Sequence, residues 1–387
     1  MTIKLYDQDS HQQTFSAQVL SCTPREDGRW DVLLDQTAFF PEGGGQQADR
    51  GHLSADPAAP VQVLDVQEGS EGIVHICAAS LPQGAQVQGD LDWPLRFGRM
   101  QCHSGEHVIS GLAHRLFGCN NVGFHMGEDA VILDFDKELS PEDLQTLESA
   151  ANQVIWENRP VTARYPAPAE LEALDYRSKL ALTENVRIVT IEGCDVCACC
   201  APHVAFTGEI GLVKLIDAMR HRGGMRLWMV AGALALADYR GKQANISAIS
   251  AALSVKQGDT AQGVSRLKQE LQDTGFALKE ARQALMLEKC RTLPETPGDL
   301  CLFEADLDSQ SMRTLVNAGA QRCGGLCAVF SGADGSGYRY VIGSKSMDLR
   351  PKAKALHQAL GGKGGGQAAM IQGSVPASRA EIAAYFS

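Results

Sequence analysis

Two short words, far apart in the chain, limit how it can fold. His103-Ser-Gly-Glu-His107 sets two histidines four residues apart. On a helix that offset places both imidazoles on one face. Cys199-Cys-Ala-Pro-His203 repeats the offset in a cysteine-rich stretch just before Thr207-Gly208-Glu209-Ile210-Gly211. Either word alone arises readily by chance. Together they offer three imidazoles and one thiolate, a tetrahedral donor set that suits zinc. One ion held by both words requires the two segments to meet. A rival reading of the same stretch stays open. Cys194 and Cys197 form a Cys-x-x-Cys pair, itself a zinc half-site or else a reduced structural turn.

The cysteine arithmetic agrees with metal or reduced thiols. The chain has 12 cysteines in 387 residues, and its opening, MTIKLYDQDSHQQ, carries no apolar segment of a secretion signal. A disulfide framework is therefore not expected. No apolar run approaches the roughly 20 residues needed to cross a bilayer, so the expected location is the cytoplasm, away from any membrane. At roughly 150 residues per domain the length allows two or three domains. A composition 44% hydrophobic and 21% charged excludes wholesale disorder. The net charge of −11 argues against a sequence-blind DNA coat. A nucleic-acid partner stays open where basic residues cluster.

The pattern along the chain predicts an α+β protein in four parts. Residues 1–92 read as a small β-barrel, with strands at Ala17–Cys22, Trp30–Leu34, Val61–Val66 and Ile73–Cys77. Its unusual turn is Phe39-Phe-Pro-Glu-Gly-Gly-Gly-Gln46, where three glycines let the backbone come close to a ligand. Residues 93–245 read as a second, α+β domain. A helix runs through His103, and another is capped by Ser140 with Pro141 in its first turn. Strands follow at Val161–Tyr165, Val186–Ile191, Leu212–Ile216 and Arg226–Ala231. Residues 246–292 hold a long helix, with Asp259 as its expected cap. Val264, Leu267, Leu271, Leu278 and Leu285 recur at spacings that make a heptad seam. Residues 293–387 read β-α-β-β-α-β, an α/β domain ending in a second glycine run, Gly361 to Gln367.

Three words in order, Thr37–Gly51, His103–Gly111 and Cys199–Gly211, resemble the editing domain of alanyl-tRNA synthetases. They are also similar to its free-standing AlaX-type relatives, and the long helix with its Gly-rich domain resembles the C-terminal region kept by the longer AlaX form. The resemblance covers nearly the whole chain. It implies hydrolysis of the ester that joins serine or glycine to alanine tRNA. It leaves no room for an aminoacylation core, so neither alanine activation nor ATP use is expected. Carried over residue by residue, it makes His103, His107, Cys199 and His203 the ligands of one zinc ion. Thr37 and Gln46 become lining of the amino-acid pocket, and Gly43, Gly44 and Gly45 bring backbone N–H groups near the substrate's 3′ end. Glu106 is a candidate general base, with a solvated helix position as the alternative. The chain has Cys200-Ala-Pro where the family commonly has Gly-Gly-Thr.

Two basic patches fit a tRNA partner. Arg220, Arg222 and Arg226 flank Gly223-Gly224. Between Arg339 and Lys363 stand six basic residues, Lys352, Lys354 and Lys363 among them, and one acidic. The heptad seam suggests a homodimer through the long helix, or a helix folded back on its own chain. The expected function is a trans-acting aminoacyl-tRNA deacylase. A non-enzymatic tRNA-binding protein with a structural zinc is the alternative. A metal-dependent nuclease is disfavoured because the donor set lacks carboxylates.

Overall fold

The computed structural model describes residues 2–57, 59–178 and 185–386. Its contacts divide the chain into two compact units, Met1–Ala248 and Ile249–Ser387.

The first unit begins with β1 (Ile3–Lys4) and β2 (Thr14–Pro24), then β3 (Trp30–Leu34) and β4 (Gln36–Thr37). It continues with β5 (Gly51–Ser54), β6 (Val61–Glu68), β7 (Ile73–Cys77) and β8 (Gln86–Leu91). Along β2 every second residue is buried, so Phe15, Ala17 and Val19 fill the interior while their neighbours face solvent. Six strands close into a barrel in the order β2-β3-β7-β6-β5-β8, which removes free edges. Outside it, β1 pairs in parallel with β4.

Helix α1 (Trp93–Phe117) leaves the barrel directly. Asp92 caps it by accepting from Leu95 N, and Gly118 ends it in the left-handed conformation at φ +59°. Nearly every residue from Met100 to Ala113 is buried, which makes α1 the central post of this half. Around it stand β9 (Asn121–Met126), β10 (Val131–Phe135), α2 (Pro141–Trp156), β11 (Val161–Arg164), α3 (Pro168–Ala173), β12 (Ile188–Ile191), β13 (Asp195–Ala198), β14 (Val213–His221) and β15 (Gly224–Ala231). The strands make an antiparallel sheet β14-β15-β10-β9 and a smaller one, β11-β12-β13. Val108, Ile109 and Leu112 of α1 share a core with Val131, Leu133, Leu227 and Met229. Ser140 caps α2 in a reciprocal capping box with Asp143, as its sequence suggests.

Several elements depart from the sequence reading, among them a hairpin and a helix of the first unit. The β9–β10 hairpin was not expected. Helix α4 (Gly232–Leu253) runs through residue 245, where the pattern suggested a boundary. Its apolar residues are mostly alanines spread around the helix, so no stripe marks it.

The second unit holds α5 (Thr260–Arg291), β16 (Leu300–Glu304), α6 (Ser309–Gly319), β17 (Leu326–Ala333), β18 (Gly337–Ser344), α7 (Arg350–Leu360), β19 (Lys363–Gln367), β20 (Met370–Val375) and α8 (Arg379–Phe386). Its sheet is ordered β16-β17-β18-β20-β19. Most of the glycine run forms the edge strand β19, and β20 and α8 extend the expected β-α-β-β-α-β order. The side chain of Asp259 makes no capping bond to α5. The hydroxyl of Thr260 turns back instead to Gln257 O. No helix among the described residues is long and apolar enough to cross a membrane.

One buried ion pair fixes the Gly-rich turn to α1. Arg96 is 1% exposed and donates through Nε to Asp49 Oδ2 at 2.8 Å; its Nη2 reaches the same oxygen. Further bonds run to Ala38 O and Ser10 O. Arg96→Met should strand the Asp49 carboxylate in the core and cost roughly 3–5 kcal/mol. Denaturant unfolding of the full chain checks this; a loss under about 1 kcal/mol would show the pair to be dispensable.

Candidate metal centre

Helix α1 sets His103 and His107 one turn apart, with ring centroids 5.4 Å from each other. Strand β13 ends at Ala198 and hands the chain to Cys199, and the following loop brings His203 back over α1. Donor atoms of His103, His107, Cys199 and His203 all lie within 4.8 Å of one another. Cys199 Sγ is 3.5 Å from His103 Nε2 and 3.4 Å from His203 Nε2. The three imidazoles are 2–4% exposed.

With Nε2 turned inward, each ring has an outer partner at Nδ1. His103 meets Gln46 Oε1 at 2.9 Å, His203 meets Ser104 Oγ at 3.1 Å, and His107 donates to Asp195 Oδ2 at 2.8 Å. Such contacts fix ring orientation and leave the facing nitrogen free for a metal. Burial works against a charged Cys199, but the His103 and His203 imidazoles outweigh it and hold the thiol well below its usual range. Burial drives His203 down to about 3, against the upward pull of the Cys199 thiolate. Burial presses His107 down, but its hydrogen bonds to Asp195 and Cys199 outweigh it and hold its pKa well above the usual range, so an ion bound there displaces a proton. Three imidazoles and a thiolate are the donor types that suit zinc, so the set fits that ion.

The Gly-rich turn closes the site from the barrel side. Gly43 and Gln46 bond to each other through both backbone pairs at 3.0 Å, and Met126 N donates to Gly45 O. Gly45 has φ +81°, and a Cβ there would lie 2.4 Å from Phe124 Cδ1. The Phe124 ring in turn lies 4.8 Å from that of His103. Gly44 is held against Cys200, whose Sγ would be 3.2 Å from an added Cβ. Beside the C-terminal part of α1 a cleft of about 780 Å³ opens, lined by Arg115, Asn121, Tyr176, Arg177, Asp195 and Cys197 among others.

Comparison with known proteins gives this arrangement a family. Residues 7–95 match the family described as tRNA synthetases class II (A). Residues 186–227 match the threonyl and alanyl tRNA synthetase second additional domain, and residues 298–384 match the DHHA1 domain. The protein named Alanyl-tRNA editing protein Aarsd1 of Danio rerio is 27% identical over 400 residues, covering 97% of this chain and 95% of that one. Its counterpart of the same name in Rattus norvegicus is 26% identical over 402 residues, covering 98% and 96%. The chain belongs to the alanyl-tRNA synthetase editing-domain family. The alanine–tRNA ligase of Halobacterium salinarum is 31% identical over 361 residues, which is 88% of this chain. The chain spans only 38% of that ligase's length.

Other residues singled out in this family member stand apart from the cluster or take different partners. Thr37 is fully buried, and its hydroxyl is already engaged. It donates to His75 Nε2 at 2.8 Å and accepts from Phe39 N at 3.1 Å. His75 gives its other nitrogen to Val32 O, and burial holds its pKa down to about 4. Glu106 is not a solvated helix position. It is 3% exposed, and its Oε1 accepts from Ser110 Oγ and Asn121 Nδ2. Of the Cys-x-x-Cys pair, Cys194 donates to Val108 O and lies outside the metal-ligating groups. Cys197 forms a second potential group with His107 and Asp195.

Among the basic residues, Arg220 is paired with Glu138 at 2.8 Å and Arg226 is clamped on Asp134. Arg222, at φ +48° in the β14–β15 turn, is exposed, as are Lys352, Lys354 and Lys363. The sequence reading missed Asp195, Arg177, Ser104 and Asn121. Asp195 stands inside the cysteine-rich word and was eclipsed by it; no local spacing points to the other three.

Gly45→Ala tests the close approach of the turn. Gly84 has the same backbone conformation, φ +82°, with open space around it. Both alanine variants incur the left-handed strain, and only Gly45→Ala drives a methyl into Phe124. Gly45→Ala should cost roughly 1–3 kcal/mol more than Gly84→Ala in thermal unfolding. Equal losses would mean that Phe124 yields freely.

Proposed function

We propose that this chain is a zinc-containing aminoacyl-tRNA deacylase acting in trans on alanine tRNA mischarged with serine or glycine, in the cytoplasm and without ATP. The observation that carries the reading is the convergence of three imidazole Nε2 faces on the Cys199 thiolate beside the Gly43–Gln46 turn. The names of its full-length relatives support the same activity. The need for such an enzyme is physical. An alanine site cannot exclude glycine by size, and it rejects serine, which only adds a hydroxyl, by a factor of order 10².

Zinc bound by His103, His107, Cys199 and His203 would supply a fixed positive charge that organises the site and anchors the substrate. The chain's own groups do the rest. Gln46 orients His103 through Oε1, while its buried Nε2 has no hydrogen-bond partner among the described residues. An unpaired buried donor of this kind costs roughly 1–3 kcal/mol, and a substrate carbonyl or hydroxyl relieves it. Gly43, Gly44 and Gly45 offer backbone to the 3′ end. Glu106 touches the cluster through His107, with Oε2 3.8 Å from Nε2, and is the proposed base. Thr37 supports the pocket wall through His75, and with its hydrogen committed to His75 Nε2 it meets a serine hydroxyl only as an acceptor.

The deciding measurement is deacylation of Ser-, Gly- and Ala-tRNA by catalytic amounts of the chain, with metal content taken on the same sample. Ser- or Gly-tRNA should turn over many times per chain, Ala-tRNA should be spared, and about one zinc per chain should be found. His107→Ala should lose both metal and activity. Sequestration without turnover would make the protein a tRNA binder, and full activity in metal-free protein would remove zinc from the proposal.

The second unit is proposed to hold tRNA through Lys352, Lys354 and Lys363, with Arg220 and Arg222 contributing from the first. Along α5 the seam residues Val264, Leu267, Leu271, Leu278 and Leu285 are 51–72% exposed, and we assign this face to a second copy of the chain. Truncation after Leu253, the end of α4, should leave a folded first unit that sediments as a monomer. It should bind tRNA at least tenfold more weakly, about 1.4 kcal/mol. Unchanged mass and affinity would refute both roles.

A further inference from the structure

The three histidines of the cluster differ in what holds them from behind. Gln46 offers His103 an amide oxygen and Ser104 offers His203 a hydroxyl, both neutral. Only His107 leans on a carboxylate. We propose that Asp195 and Arg177 form a positioning pair that fixes the His107 imidazole and sets how tightly the cluster holds zinc.

The geometry leaves Asp195 little freedom. Its Oδ2 accepts from His107 Nδ1 and from Arg177 Nη2, each at 2.8 Å, and its Oδ1 accepts from Arg177 Nε at 2.7 Å. Three N–H groups on two oxygens prevent the carboxylate from turning. With Nδ1 of His107 donating to Asp195, the neutral ring presents its lone pair on Nε2, the nitrogen that faces the cluster. Arg177 is itself bolted in place. Its N donates to Val196 O at 2.8 Å and its O accepts from Ala198 N at 2.9 Å, so its backbone lies along β13 on both sides. That strand carries Asp195 and ends one residue before Cys199. A single strand therefore delivers a metal ligand and the anchor of another ligand, and Arg177 holds that strand.

Charge explains why an arginine stands there. Asp195 and His107 side chains are each 2% exposed, and a Cys199 thiolate lies in the same buried space. A bare second anion would be expensive to bury. The guanidinium, 18% exposed, offsets it and matches the carboxylate with two parallel bonds. The strong histidine anchor is thus kept without adding net charge.

The proposal rests on the zinc reading above and deepens it. Its test is zinc affinity of the full chain, measured by competition with a chromophoric chelator and without tRNA. An Asp195→Asn amide has one acceptor for three donors and sets its own NH2 against one of them. It should weaken zinc binding 10- to 100-fold. Arg177→Met should weaken it at least tenfold, and Arg177→Lys, which keeps the charge but loses the fork, should fall between. Parent-like affinity, within twofold, in both Asp195→Asn and Arg177→Met overturns the proposal. So does a lower melting temperature of the metal-free chain with an unchanged zinc dissociation constant, the mark of a purely structural pair. Should Asp195→Asn not fold, the two Arg177 variants carry the test, and equal affinities for them and the parent overturn it. A parent that binds zinc but deacylates nothing would sink the enzymatic function and leave this inference standing.

Discussion

The Arg96–Asp49 ion pair is the contact on which the first unit depends. One partner opens α1, the helix that carries His103 and His107. The other closes the Gly-rich segment that carries Gln46. Both are almost wholly buried, so neither charge survives in the core alone. Because the pair fixes the turn against the helix, Gln46 reaches His103, and Gly45 can approach Phe124 more closely than a side chain would allow. The barrel and the helical half are thereby made into one site.

Around the cluster, stability and chemistry pull in the same direction. Each imidazole is oriented by a partner on a different element: the barrel turn for His103, α1 itself for His203, and β13 for His107. Three independent supports leave no ring free to rotate, and a preorganised donor set loses little entropy when it closes on an ion. The same burial that makes the site rigid makes its charges costly. Two of them are set among partners: a thiolate among imidazoles, and the Asp195 carboxylate in an arginine fork.

The second unit obeys simpler rules. Its sheet is covered by α6 and α7 through apolar cores around Val329 and Tyr340, respectively. Its glycine run is spent on β19, an edge strand whose residues are all exposed. Glycine there removes side chains from a sheet edge and leaves the backbone accessible. Val264, Leu267, Leu271, Leu278 and Leu285 of α5 stay exposed among the described residues, which is why the proposal gives that face to a second copy.

Much of this was legible in the sequence. The HxxxH and CxxxH words needed only local spacing, because residues four apart share a helix face and donor chemistry follows from residue type. The barrel strands, the Ser140 cap and the heptad of α5 are local in the same sense. Helix α4 was not legible, since alanines distributed around it leave no period to detect. Nor was the strand role of Lys363–Gln367, because glycine has weak strand preference and pairing with β20 decided it. The sequence by itself determined which atoms can bind a metal. Only the tertiary structure decided what stands behind them, placing Asp195 and Arg177 on His107, Gln46 on His103 and the Thr37 hydroxyl on His75. Those partners join positions 18 to 88 residues apart, and no periodicity of helix or strand connects residues at such separations. The folded core alone brings them within a hydrogen bond.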